Sequence, residues 1–477
     1  MTPEFLVLHP ISGKSYLPSR EPAHITKEML FQLHKSYLII ASLLYSCFLF
    51  TISGYTLPLY LLNILLFATY FCILSNLLKK TEKFYSRSNL IFIITFFSLL
   101  VVISYKYVSY LYNDNFFVFS ESDALAYYKY AQRMSKMPIM EGVLYYLRNH
   151  SFDDLGGALV PSLLYRFVDS ILVLNIFYVL CGLITALAIY TISSNFMSPK
   201  YAFICATAYS MSSFVLWFHA SGLKESFMCM LVVLFYHRYY LFIKKKVFLQ
   251  LTYSSIFLLG LLLFRPALIF FCIGSVGISW ILQKRKGSTG VLIIVFVFSL
   301  LIILSAYIDS SYKHFTAGGN FNRLIAAREA DGMIKGGLKF TYMVNILAQI
   351  LGPLPTISPG KNLLLSFYSS GLLYKALLSV VFWIGIYYIF SFKVELLYPL
   401  IFFALFEMIS LLSILEGLEL RKSLPHFPMI YIIAFWFLDK FDAIGPSIAI
   451  RNKKNLRSIF SLSSFVVFFL ILVWNTR

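Results

Sequence analysis

The chain has 477 residues, 59% of them hydrophobic and 13% charged, with a formal net charge of +19. Water-soluble domains carry roughly 25% charged residues, and half that fraction over this length cannot coat a water-facing globule. The positive balance does not mark a nucleic-acid binder, because Lys and Arg sit mainly in short loops between apolar blocks, where cytoplasmic loops of membrane proteins hold them.

Residues 1–36 are polar, with His9, Lys14, Arg20, Lys27 and Lys35, and read as a cytoplasmic N-terminal segment without a cleavable signal peptide. From Tyr37 onward the apolar blocks run to roughly 17–23 residues, the length that crosses a hydrocarbon core of about 30 Å as a helix. The alternating strands of about 10 residues that build a membrane barrel are not seen, and helices then satisfy the backbone in lipid. Spans are expected at 37–53, 57–78, 90–110, 170–193, 201–217, 222–242, 247–264, 266–283, 289–308, 372–392, 395–415, 427–439 and 458–475. The fold class is therefore an all-α polytopic membrane protein of about thirteen transmembrane helices, with 37–475 as a single transmembrane domain.

Charge orients the spans. With the N-terminus in the cytoplasm, the inner loops hold Lys79, Lys80, Lys83 and Arg87, then Lys200, Arg238 with Lys244 to Lys246, Lys284 to Lys286, and Lys393. The last inner loop, about 440–457, holds Lys440, Arg451, Lys453, Lys454 and Arg457. Most acids fall on the other side, among them Glu141, Asp153, Asp154, Asp309, Glu329, Asp331, Glu416 and Glu419, and the C-terminus falls outside. Two long loops lie externally, about 111–169 and 309–371, and loops of this length are usually functional. In the first, 123–134 and 140–149 are amphipathic and suit helices lying along the membrane surface. The second is rich in Gly and Pro and should be partly irregular.

The candidate chemistry gathers on the external side. Glu121 and Asp123, in Ser120-Glu-Ser-Asp-Ala-Leu-Ala-Tyr-Tyr128, straddle a helix start. They either cap that helix or supply a general base aimed at an acceptor hydroxyl. Lys224 and Glu225, in the turn His219 to Ser226, either form an interfacial ion pair or, with the helix N-terminus, an anion pocket. Arg265, followed by Pro266, is alone in a nearly continuous apolar run and needs a carboxylate or a lipid phosphate. Arg421 and Lys422, in Glu419-Leu-Arg-Lys-Ser-Leu-Pro-His426, are either an ordinary charged loop or a diphosphate clamp. Glu407, within the eleventh span, must find a partner there.

The six cysteines lie in apolar blocks without zinc or disulfide spacing and read as small buried hydrophobes. No nucleotide phosphate loop, dinucleotide-binding turn, HExxH or CxxC is present. An enzyme of this layout would use a donor that is already activated, and a polyprenyl-linked sugar phosphate fits.

The order of these motifs resembles a known group. Asp123-Ala with the Tyr127-Tyr128 pair follows an early span, then come Pro161 to Tyr165, Ser221-Gly-Leu-Lys-Glu225, Arg265-Pro266, and Glu419-x-Arg421 with Pro425 and Pro428 opening a late span. This resembles the polytopic glycosyltransferases of bacterial surface-polysaccharide clusters, which include the GT-C superfamily and the O-antigen or capsule repeat-unit polymerases. The resemblance implies a GT-C-like fold and an inner-membrane enzyme acting at its external face on undecaprenyl-linked sugars. It places Asp123 as the catalytic base, and the neighbouring Glu121 is the candidate helper. It places Lys224, Arg265 and Arg421 where such proteins hold the lipid phosphate, and Glu225, Lys422 and His426 complete the candidate residues for binding substrate and diphosphate. It implies no cofactor, although Glu121 and Asp123 leave a divalent metal open. The implied partners are an undecaprenyl-phosphate- or diphosphate-linked glycan, membrane lipid and a polysaccharide chain-length regulator, with no nucleic acid. Here the acidic loop follows the third span, whereas in GT-C enzymes it follows the first. The long loop after span nine suits a repeat-unit polymerase. A GT-C transferase adding one sugar from a polyprenyl-phosphate donor, and a lipid-linked oligosaccharide flippase or transporter, are the alternatives.

Overall fold

The computed structural model describes residues 76–77, 80, 84–113, 116–117, 123–150, 152–283, 346–347, 349–352, 354, 369–413, 420–443 and 462–473. The expected N-terminal segment, the spans 37–53 and 289–308, most of 57–78, most of the loop 309–371, and the loop beyond Ala443 lie outside the described residues.

Among the described residues the regular structure is helical and contains no strand. Four of the described helices are long and apolar enough to cross a membrane: Arg87–Tyr107, Ile171–Ser193, Glu225–Lys245 and Gly371–Ser391. A fifth span results if the bent pair Pro199–Ser210 and Ser213–Ser221 counts as one crossing.

α1 (Arg87–Asn113) shows the logic of the bundle. Phe92, Phe96, Leu100, Ile103 and Tyr107 recur at helical spacing and are all exposed, Phe92 to 70%. The opposite stripe, with Leu90, Ile94, Ser98, Val102, Lys106 and Ser109, is buried. A continuous apolar stripe turned outward, with hydroxyls and an amine turned inward, is the reverse of a water-soluble helix and suits a lipid surround. Lys106 reaches the Phe116 carbonyl at 2.5 Å and lies 5.1 Å from the Phe117 ring.

The loop expected at 111–169 is folded. The two amphipathic stretches there form helices, α2 (Asp123–Ser135) and α3 (Ile139–Leu147). A short 3-10 turn, Phe152–Asp154, leads into α4 (Leu155–Tyr165), a helix the sequence reading did not anticipate. Gly156, Gly157 and Pro161 argue locally against it. Tertiary contact overrides them, since a Cβ on Gly156 would sit 2.6 Å from the Phe264 ring.

α5 (Ile171–Ser193) starts where the Ser170 hydroxyl accepts from Leu172 N. The next expected span, 201–217, is corrected to two helices, α6 (Pro199–Ser210) and α7 (Ser213–Ser221), bent by 48°. Serines at the break offer the backbone alternative hydrogen bonds, and Gly371 N donates to Ser213 Oγ at 2.9 Å. α8 (Glu225–Lys245) then runs through the middle, packed against α5, α9 (Phe248–Leu262), α10 (Ala267–Gln283) and the 3-10 turn Leu420–His426. α11 (Ser369–Ser391) packs on α13 (Phe427–Ala443), and α10 packs on α12 (Tyr398–Ser413). α14 (Leu462–Val473) exposes Leu462, Phe465 and Phe469.

The bundle has two chemically distinct ends. At one, α8 and α11 finish on Lys246 and Lys393 in left-handed conformation, Asp439 accepts from Ser198 N and Oγ, and Tyr240 donates to Leu396 O at 2.6 Å. The other end gathers the residues described next.

Spin labels at Phe96→Cys and Leu259→Cys should collide with dissolved oxygen and be shielded from a water-soluble nickel complex in reconstituted bilayers. Nickel accessibility at both positions would remove these faces from lipid.

Candidate functional site

The site is built where the loop helices dock on the start of α8. Gly222, in left-handed conformation at φ 80°, ends α7. Asn175 Nδ2 donates to the His219 and Ala220 carbonyls at 2.7 and 3.0 Å, which satisfies that helix end from the side. The reversal leaves Lys224 at the N-cap position of α8 with Glu225 as the first helical residue.

Lys224 does not pair with Glu225. Its ammonium makes an ion pair with Asp154, donates to the Phe264 carbonyl at 3.2 Å, and lies 5.9 Å from the Tyr127 ring. The interfacial Lys224–Glu225 pair considered above is therefore corrected: the carboxylate comes from the far side of the loop. Tyr127 donates to Asp154 Oδ1 at 3.2 Å, and Tyr146 donates to the Asp154 carbonyl at 3.2 Å. Two residues on, Gly156 N donates to Leu263 O at 2.7 Å. Residues 154–156 thus clasp the turn between α9 and α10, next to Arg265. The Lys224 side chain is only 9% exposed, whereas that of Asp154 is 43% exposed, so the pair opens to solvent on the Asp154 side.

Burial alone would raise the Asp154 carboxyl, but the adjacent Lys224 ammonium, the hydrogen bonds from Lys224 and Tyr127, and the Arg265 charge hold it below the usual carboxylate range. Burial, then the charges of Asp154 and Glu225, push the Tyr127 phenol up, so it stays protonated and remains a donor. Glu225 is buried at a helix start, where the backbone dipole favours a carboxylate, and its Oε2 makes no hydrogen bond.

Arg265 finds a protein carboxylate. Its Nη1 lies 4.0 Å from Glu407 Oε1 and donates to the Lys422 carbonyl at 3.1 Å. The Arg265 side chain is 21% exposed and that of Glu407 2%. Behind it, His426 Nδ1 is 3.3 Å from Glu407 Oε2, close but without hydrogen-bond geometry. His426, expected on an open turn, is fully buried. Burial, and then the Lys375 charge, hold its imidazole well below the usual range and hence neutral.

The structure therefore brings Lys224, Glu225, Arg265, Lys422 and His426 to one end of the bundle. Asp123 opens α2 one turn before Tyr127, near enough for its charge to act on that phenol. Arg421 lies on the same 3-10 turn as Lys422. Glu121 lies outside the described residues, and among those described no three His, Cys, Asp or Glu gather around a metal-sized space. Asp154 and Tyr127 are the members that sequence reasoning missed. Asp154 counted only as one external acid among several, and its partner is 70 residues away. Two cations beside an opening, flanked by carboxylates and a phenol, can hold an anionic group and take a proton from a hydroxyl placed against it.

Asp154→Asn should cost on the order of 1–3 kcal/mol, the low side for breaking a buried pair because the Asp154 carboxylate is half open to solvent. Adding Lys224→Gln should recover part of this loss, read as melting temperature in detergent. The folded Asp154 carboxyl titrates below its unfolded value, so the pair's contribution is complete above about pH 4 and fades as pH falls through the folded value. Melting curves of the wild type and the double variant should converge in acid; a gap that widens in acid would rule out the ion pair as its source.

Compared with known proteins, the chain matches no family model and no curated relative.

Proposed function

We propose that the chain is a bacterial inner-membrane glycosyltransferase that polymerises undecaprenyl-diphosphate-linked repeats of O-antigen or capsular polysaccharide at the external face. In this reading about thirteen spans form a GT-C-like domain, with the N-terminus cytoplasmic and the C-terminus external. The observation that carries the proposal is the gathering of Lys224 and Arg265 at the end of the bundle opposite the Lys246 and Lys393 helix ends, under the loop helix that Asp123 begins.

The proposed reaction needs a base and a cradle for charge. Asp123, helped by Glu121, accepts the proton of an acceptor sugar hydroxyl, and the oxygen attacks the anomeric carbon of the donor. The bond from that carbon to the diphosphate oxygen breaks, and polyprenyl diphosphate leaves with the electron pair. Lys224, Arg265 and Arg421 meet the charge that develops on the leaving group. Asp154, held ionised by Lys224, positions that lysine rather than taking the proton, because a carboxyl depressed by a cation is a weaker base. Lipid, the linked glycan and a chain-length regulator are the proposed partners.

One observation favours a transport reading instead. The break between α6 and α7, with Glu407 and Lys375 buried in the bundle, has the form of an interrupted helix beside intramembrane ionisable groups. Transfer of a single sugar remains the alternative within the enzyme class.

A gel of surface glycans from a deletion strain separates the three readings. Asp123→Ala should slow polymerisation by about 10²–10⁴-fold, and Arg265→Ala by about 10²–10³-fold, each leaving single repeats at equal expression. A ladder that persists on deletion with a shifted repeat mass assigns single-sugar transfer. Unchanged glycan removes the enzyme reading and brings transport forward.

A further inference from the structure

Beyond the Lys224 and Asp154 pair, Lys375 is a buried cation that meets no carboxylate among the described residues. Lys375 on α11 is wholly buried, and its Nζ makes no hydrogen bond. An amine carried into an apolar interior without an acceptor is costly, and such a residue in a membrane helix marks a functional position.

Its surroundings point to the missing partner. The amine lies 4.8 Å from the Phe427 ring, and Phe427 stacks on Phe214, in the first turn of α7, at 5.1 Å. One turn back along α11, on the same face, Gly371 abuts that turn: a Cβ there would sit 2.6 Å from Phe214 N and 2.6 Å from Ser212 Oγ. The Ser210 and Ser212 hydroxyls at the helix break are buried and make no hydrogen bond. Gly352, at φ 94°, stands against the Lys375 amine, and any side chain there would overlap it. A lysine and the positive end of a helix repel each other across a dry interior unless an anion lies between them. The two unsatisfied hydroxyls supply the donors that such a guest would use.

We propose that Lys375, the first turn of α7 and the Ser210 and Ser212 hydroxyls form an internal anion site that takes a phosphate-type group. The choice of phosphate rests on the lipid-linked donor proposed above; the existence of an anion site does not. The same chemistry comes from a polyprenyl phosphate, an anionic phospholipid headgroup or free pyrophosphate.

The test uses the full chain in phosphatidylcholine nanodiscs, with each of those three added in turn, and reads the melting temperature. The wild type should gain several degrees with at least one of them near saturation. Lys375→Met should bind tenfold or more weakly and yet melt at or above the wild type without ligand, because an unsatisfied buried charge is gone. Gly352→Ala, which crowds the amine and keeps it, should also weaken binding. Lys244→Met, an exposed lysine at the opposite end of the bundle, should retain the full shift. The additive that acts identifies the source: a shift with pyrophosphate or phospholipid but none with polyprenyl phosphate keeps the site and removes the lipid-linked donor from it. The proposal is overturned if no additive shifts the wild type, if Lys375→Met keeps the full shift, or if Lys244→Met loses as much of it as Lys375→Met.

Discussion

The contact between Lys224 and Asp154 ties the loop helices to the bundle, and the geometry of the candidate site follows from it. Lys224 stands where α7 reverses into α8, at a helix end that could not carry a charge into the bundle without a partner. Asp154 comes from a loop segment that is itself anchored by Tyr127, Tyr146 and the Gly156–Leu263 backbone bond. Each anchor uses a polar group that a lipid-facing bundle must satisfy internally. The loop is therefore held over the helix ends, and α2 is brought with its Asp123 end towards the cations.

A second arrangement lies behind the first. Arg265, Glu407 and His426 form a line running from a partly open guanidinium to a fully buried imidazole. Neither Glu407 oxygen makes a hydrogen bond, so the line is close-packed but not fully satisfied. Under-satisfied charges inside an otherwise apolar bundle are expensive, and their concentration near one end supports a site that handles charge there. Lys375, whose charge reaches His426 and whose amine lies against Phe427, extends the same imbalance towards positive charge, in keeping with the anionic ligand class proposed for both places.

Several features were legible from residues alone. The boundaries of α5, α8, α10 and α11 follow the apolar blocks, because length and flanking Lys or Ser residues mark where a lipid-compatible helix must stop. The need of Arg265 and Glu407 for partners was also visible, since neither can stay unpaired in an apolar run. The sequence did not say that they are each other's partner. α4 was hidden because its glycines and proline speak for a loop, whereas in the fold Phe264 packs on Gly156 and Tyr127 on Gly157, where no larger residue fits without a shift. The break at Ser212 was hidden because Tyr201 to Trp217 reads as one apolar block.

What the sequence by itself determined is a set of one-dimensional constraints: apolar lengths, the distribution of charge between loops, and which charges cannot remain alone. These follow from the free energy of moving single residues between water and lipid, and they need no knowledge of neighbours. The tertiary structure alone decided the partners. Lys224 took Asp154, 70 residues away, instead of the adjacent Glu225, and His426 turned inward to Glu407 instead of outward. Pairing depends on distance and burial, and both are set by how helices far apart in sequence pack against one another.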